Sequence, residues 1–174
     1  MKTTCLVVVI YEDPSIRETA VDFCDHLVER FWNRSGFDVS WWSFAQLREA
    51  LSAREASQRA READLIVVAI QPGNPIDPYV QAWLETGLQQ RKEHEGVLVG
   101  LTGPGTETNE RALEKHIYFR NLAHRSGLDY VTRVPQDLGY GTVDSWESCS
   151  ERADQVTSVL AEILRQRETP HFLI

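Results

Sequence analysis

The stretch CLVVVIYEDPSIRE, residues Cys5 to Glu18, decides the fold. From Thr4 to Tyr11 the chain is a continuous apolar run with no polar alternation, which is the pattern of a strand covered on both faces and hence of a parallel sheet. At Pro14 the period changes. Ile16, Ala20, Phe23, Cys24, Leu27, Val28 and Phe31 follow three or four residues apart, as on the buried face of a helix, and Asn33-Arg34-Ser35-Gly36 supplies the stop. Strand, tight acidic turn and helix in immediate succession make the first half of a crossover unit. The turn itself, Glu12-Asp13, sets two carboxylates at the mouth of a buried strand, where they serve either as half of a metal site or as the cap of the next helix.

The same alternation repeats along the chain. A second strand is expected over Phe37–Phe44, with Phe37, Val39 and Trp41 on one face and Trp42 on the other. Residues Gln46–Ala63, rich in Ala, Arg, Glu and Leu, form a helix by propensity, with a thin apolar stripe. Asp64 opens DLIVVAI, a third strand, which Gln71-Pro72-Gly73-Asn74-Pro75 ends. Asp77-Pro78 is an N-cap followed by a first-turn proline, with Val80, Trp83, Leu84, Gly87 and Leu88 as the buried stripe. Val97–Leu101 is the fourth strand. The loop TGPGTETNE (102–110) then leads into a helix read as burying Leu113, Ile117 and Leu122 and closed by Gly127, before a fifth strand over Leu128–Val134. After an irregular stretch from Pro135 to Val143, a last helix is expected over 144–167, then the apolar tail ETPHFLI. Five strands alternating with five helices predict one α/β domain over residues 1–174: a three-layer, doubly wound parallel sheet of flavodoxin-like order 2-1-3-4-5. That order places a ligand-facing crevice outside the carboxyl ends of strands one and three.

Composition narrows the function. The 174 residues carry a net charge of -8, with eighteen Lys and Arg dispersed among twenty-six acids, which argues against a nucleic-acid partner. The longest apolar runs, Leu6–Ile10 and Leu65–Ile70, are strand-sized, and no basic leader precedes an apolar segment, so neither membrane anchoring nor secretion is expected. Cys5, Cys24 and Cys149 all fall on apolar periodicities, as reduced thiols of a cytoplasmic core do. The five histidines show no metal-ligand spacing, and no metal or cofactor is expected. A protein partner or a second copy remains open, through the free edge at the second strand or the helix after strand four.

The strand ends then define the candidate site. Strand one delivers Tyr11, Glu12 and Asp13; strand three delivers Ala69, Ile70 and Gln71; strand four delivers Thr102; strand five delivers Thr132 and Arg133. These segments resemble a response-regulator receiver domain, in which an acidic cluster ends strand one, an Asp strand three, a Thr or Ser strand four, and a Lys followed by Pro strand five. The resemblance implies Mg²⁺-binding acids at Glu12 and Asp13, the switch hydroxyl at Thr102, and Arg133 in place of the Lys. The phosphoacceptor is matched by Ala69, which has no oxygen to accept a phosphoryl group. A non-phosphorylatable interaction or regulatory module is therefore the function this resemblance implies.

The alternative is a small-ligand or nucleotide-type binding enzyme, a glycosidic-bond hydrolase or transferase, using the same crevice of Glu12 and Asp13, lined by Gln71, Asn74, Asp77, Glu85 and the 102–108 loop. Flavin mononucleotide is disfavoured, because an acid pair repels phosphate where Ser, Thr and Gly would cradle it. Glu85, two residues before a glycine on its helix, resembles the nucleophilic glutamate of nucleoside deoxyribosyltransferases and related glycosidic-bond enzymes. Glu12 and Glu85 are thus the candidate catalytic acids. Asp13 before Pro14 is better placed as a helix cap.

Overall fold

The computed structural model describes residues 3–31, 33, 35–91, 95–103 and 109–131. The helix expected over 144–167, the apolar tail, Cys149, Arg133 and the loop 104–108 lie outside the described residues.

Five parallel strands form one sheet: β1 (Thr3–Tyr11), β2 (Ser35–Ser43), β3 (Leu65–Ile70), β4 (Val97–Thr102) and β5 (Asp129–Val131), in the order β2-β1-β3-β4-β5. This is the flavodoxin-like order expected from the sequence. β1 pairs with β2 from Thr3↔Ser35 to Tyr11↔Ser43, and with β3 from Val7↔Leu65 to Tyr11↔Ala69. The strands read as continuous apolar runs because both faces are covered. Cys5, Val7, Val9, Leu65, Val67, Ala69, Val97, Val99 and Leu101 face a layer containing α1 (Pro14–Phe31), with Phe23 and Leu27 as its large buried residues. Val8, Ile10, Ile66, Val68, Ile70 and Leu98 face the other layer, built from α2 (Ala50–Glu62), α3 (Pro78–Gln89) and α4 (Asn109–Arg125).

The helix expected over Gln46–Ala63 is divided. Gln46–Arg48 is a single 3-10 turn, Glu49 is extended at φ -86°, ψ 126°, and α2 begins at Ala50. Ser43 and Gln46 explain the break: each backbone N–H donates to the other's side chain, at 2.8 and 3.1 Å, a reciprocal cap that starts a turn of its own. The face α2 buries is alanine, Ala56 and Ala60, while Leu51 is 74% exposed. Its lateral ties are Trp83 Nε1 donating to Ala53 O at 3.0 Å, the Arg59–Asp38 ion pair, Arg61 donating to Gln90, and Arg91 donating to Ala60 O. α3 buries Val80, Trp83, Leu84, Gly87 and Leu88, the stripe expected, and Asp77 caps it by accepting from Tyr79 N at 2.9 Å.

α4 departs from expectation. Leu122 is fully buried, but Leu113 and Ile117 are 42% and 43% exposed, and the inward face carries Ala112, Lys115, His116, Phe119 and Ala123. The polar members of that face are held by hydrogen bonds: Lys115 Nζ donates to two loop carbonyls, and His116 Nδ1 lies 2.8 Å from the Tyr130 hydroxyl. Those bonds turn the helix and leave two aliphatic residues outside. Gly127, at φ 70°, ends α4 in the left-handed conformation.

At the amino ends of the strands sits Asp64, fully buried. Its carboxylate accepts from Leu6 N at 2.9 Å, its own N–H donates to Leu6 O, and its carbonyl accepts from Val97 N, so one residue joins β1, β3 and β4. Arg91 lies beside it, donating to the carbonyls of Ala60 and Ala63; burial pushes its guanidinium down to about 10, against the pull of Asp64. Gly96 makes room for this cluster, since a Cβ there would stand 2.7 Å from Arg91 Nη2. Cys5 and Cys24 are buried, and burial, with Asp25 adding, pushes the Cys24 thiol up to about 12.

Candidate functional site

At the carboxyl ends of the strands, the loops after β1, β3 and β4 converge on Gln71. The turn after β1 is only Glu12-Asp13, because Pro14 starts α1 at once. Glu12 N continues the ladder by donating to Ala69 O at 3.0 Å, and this aims its side chain across the sheet. Glu12 Oε2 accepts from Gln71 N at 2.6 Å, and Oε1 accepts from Asn74 Nδ2 at 3.2 Å. Lys115 works from the opposite side, its ammonium donating to Gln71 O and to Pro72 O, while Arg111 Nη1 donates to Gly73 O at 2.8 Å. One residue, Gln71, is therefore gripped by a carboxylate at its N–H and an ammonium at its carbonyl. Lys115 has its pKa lowered by burial and by Arg111, with Glu12 opposing both.

Asp13 has a different duty. Its Oδ1 accepts from Ser15 N at 2.8 Å and Ile16 N at 3.0 Å, the first free N–H groups of α1, which is the cap expected. Gln71 Nε2 adds donations to both Asp13 oxygens at 3.2 and 3.1 Å. The amino end of α1, where helix dipole and free N–H groups attract anions, thus already holds a carboxylate of the chain. Gly103, after β4, donates to Ile70 O, and a Cβ on it would stand 2.8 Å from Ile16 Cδ1. A side chain at this position would require the end of Ile16 to move, so glycine lets the third loop lie against α1 without displacing it.

Glu12, Asp13, Gln71 and Asn74 are brought together as one constellation, with Glu12, Asp13 and Gln71 half-buried and Asn74 exposed. Thr102 ends β4 opposite Ile70, nearly buried. Glu85 belongs to a separate cluster between α3 and α4. Tyr118 Oη donates to its Oε1 at 3.0 Å and Gln81 Nε2 at 3.5 Å, and burial, followed by the bond to Glu85, raises the Tyr118 pKa. Among the described residues, no group of three or more His, Cys, Asp or Glu side chains is placed to hold a metal ion. Lys115 and Arg111 are the site residues that sequence reasoning missed, while Gly103 falls within the 102–108 loop it included. The signal for Lys115 was its spacing, since it shares a helical face with Ala112, Phe119 and Leu122.

Ala69 is fully buried in the α1-side layer, paired with Tyr11 and Leu101. It is a packing residue, so the position lacks space as well as an oxygen. Ala69→Asp is expected to lower stability by about 3 kcal/mol, as an uncompensated buried carboxylate does, and to leave the intact mass unchanged on incubation with acetyl phosphate and Mg²⁺. A urea midpoint within error of the parent would overturn this. On the outer side of the same strand end, the Arg17 guanidinium stacks 5.0 Å from the Trp41 ring and 5.8 Å from Tyr11, a cation–π pair that shields the edge strand β2.

No protein family of known profile and no curated protein sequence matches the chain. Solved structures do. An oxidoreductase from Corynebacterium diphtheriae superposes with a TM-score of 0.67 at 14% identity, over 95% of this chain and 98% of that one. A flavodoxin from Streptococcus pneumoniae TIGR4 gives 0.57 at 17% identity, over 91% and 99%. General stress protein 14 from Treponema denticola, solved in complex with FMN, gives 0.50 at 14%, over 90% and 98%. At these identities the likeness is one of fold, and it places the chain among flavodoxin-like α/β structures.

Proposed function

We propose that the chain is a flavodoxin-like ligand-binding protein whose crevice takes a neutral, flavin-type ligand, an aromatic heterocycle carrying hydroxyl or N–H donors in place of a phosphate. The fold supports the place: the crevice lies at the switch between β1 and β3, where doubly wound sheets bind their ligands. The fold's relatives support the ligand class, one being a flavodoxin and another a protein solved with FMN. The receiver-like regulatory reading draws no comparable support, and Ala69 sits in the core.

The observation that carries the proposal is the clamped, acceptor-bearing mouth. Loops fixed by Glu12, Lys115 and Arg111 hold their shape before any ligand arrives, which lowers the cost of binding. The FMN phosphate does not fit at the end of α1, because Asp13 already accepts from Ser15 N and Ile16 N and would face the phosphate as a like charge. Ribityl or amide donors meet that carboxylate favourably.

The test is fluorescence titration of riboflavin and FMN against the purified chain. Riboflavin is expected to be quenched on binding, with an affinity about tenfold or more above that for FMN, as like charges at close range require. Absence of binding by either flavin, or tighter binding of FMN, would overturn the proposal.

A further inference from the structure

The outer face of α4 carries the residues that the core leaves out. Leu113 and Ile117, one turn apart, are 42% and 43% exposed. Around them, three or four residues apart, stand exposed Glu110, Glu114, Arg120, Asn121 and His124. The amino half of this stripe is acidic and the carboxyl half basic. Ile117 is the middle residue of α4, which runs from Asn109 to Arg125.

We propose that α4 is a homodimer interface, in which the helices of two copies pack antiparallel about a two-fold axis passing beside Ile117. The charge order fits a second copy and no arbitrary partner. Positions equally distant from Ile117 face each other across such an axis, so Glu114 of one copy meets Arg120 of the second copy, and Glu110 meets His124. Both contacts occur twice, as an isologous interface demands. Ile117 meets its own equivalent, with Leu113 beside it against Asn121, giving an apolar centre and a charged rim. A parallel arrangement would instead set Glu114 against Glu114 and Arg120 against Arg120. One helix per copy is a small interface, so a dissociation constant on the order of micromolar is expected.

Sedimentation velocity over a concentration series across about 1–200 µM, a range bracketing that constant, is expected to show a reversible monomer–dimer equilibrium. Ile117→Glu places two like charges on the axis and should weaken the dimer about tenfold or more. Its circular dichroism should match the parent, because the side chain is on the surface. Glu114→Arg and Arg120→Glu should each weaken association, and the double variant should restore it, since the exchange re-creates both pairs. Ile117→Cys is expected to cross-link to itself under mild oxidation, while Leu51→Cys, on exposed α2, is not. A parent monomeric throughout, an Ile117→Glu dimer of undiminished strength, or a double variant as weak as the singles would each overturn the proposal.

Discussion

Asp64→Ala is expected to remove about 3–5 kcal/mol of stability, the cost of breaking a buried charge pair by deleting one partner. Domains of this kind hold roughly 5–15 kcal/mol in total, so the variant should express poorly or melt near ambient temperature. The cost has two sources. The Leu6 N–H loses its carboxylate acceptor inside the sheet, and the Arg91 guanidinium, nearly buried against the carbonyls of Ala60 and Ala63, loses the charge that offsets its desolvation. Arg91→Ala should cost a similar amount, because it strands Asp64 in turn. The double variant Asp64→Ala/Arg91→Met should be milder than the sum of the singles, since neither charge is then left alone. Urea denaturation of the three variants decides the matter; a loss below about 1 kcal/mol for Asp64→Ala, the range of an ordinary neutral hydrogen bond, would show that the charge is solvated.

Asp13→Asn carries the second large effect, and it is on specificity. Asparagine caps a helix about as well as aspartate, so the bonds from Ser15 N and Ile16 N persist and stability should change by less than about 0.5 kcal/mol. The negative charge at the end of α1 disappears, however. A phosphate approaching that end then meets helix dipole and N–H groups without an opposing carboxylate, and FMN affinity should rise about tenfold to thirtyfold relative to riboflavin. Asp13→Ala separates the contributions. It frees the N–H groups outright, costs about 1 kcal/mol in capping, and should favour FMN at least as strongly. Parallel titrations of the parent and both variants at two ionic strengths provide the check, because the gain must shrink as salt screens it. An unchanged FMN-to-riboflavin ratio in both variants would remove Asp13 from any role in selecting the ligand.

The sheet was legible because a strand buried on both faces must be apolar at every position, and Val7–Ile10 and Leu65–Ile70 obey that without exception. The α3 stripe was legible for a related reason: its cap, Asp77-Pro78, fixes the phase of the helix, and every inward residue is apolar or glycine. α4 defeated the same method. Its phase is set by Lys115 and His116, whose burial depends on carbonyls of the loop after β3 and on the Tyr130 hydroxyl of β5, and hydropathy counts such residues as outward. Asp13 could be recognised as a cap because its partners lie two and three residues away. Glu12 could not be given a duty, because its partner, the Gln71 N–H, is fifty-nine residues distant and becomes a neighbour only once β1 and β3 pair. Glu85 looked available for chemistry in the sequence, where nothing announces Tyr118 as its hydrogen-bond donor.

The alanine face of α2 sets a clock on the molecule. Ala56 and Ala60 bury little apolar area compared with the Phe23 and Leu27 of α1 or the Leu84 and Leu88 of α3, and apart from the Arg91 bond to Ala60 O near its last turn, the ties at its flank are an indole-to-carbonyl bond and exposed polar pairs. Free energy of local opening follows buried apolar contact. The amides of α2 are therefore expected to exchange with deuterium sooner than those of α1 and α3, while β1 and β3 remain protected to the timescale of global unfolding. Protection in α2 equal to that of β1 would mean that the layer opens as a unit with the sheet.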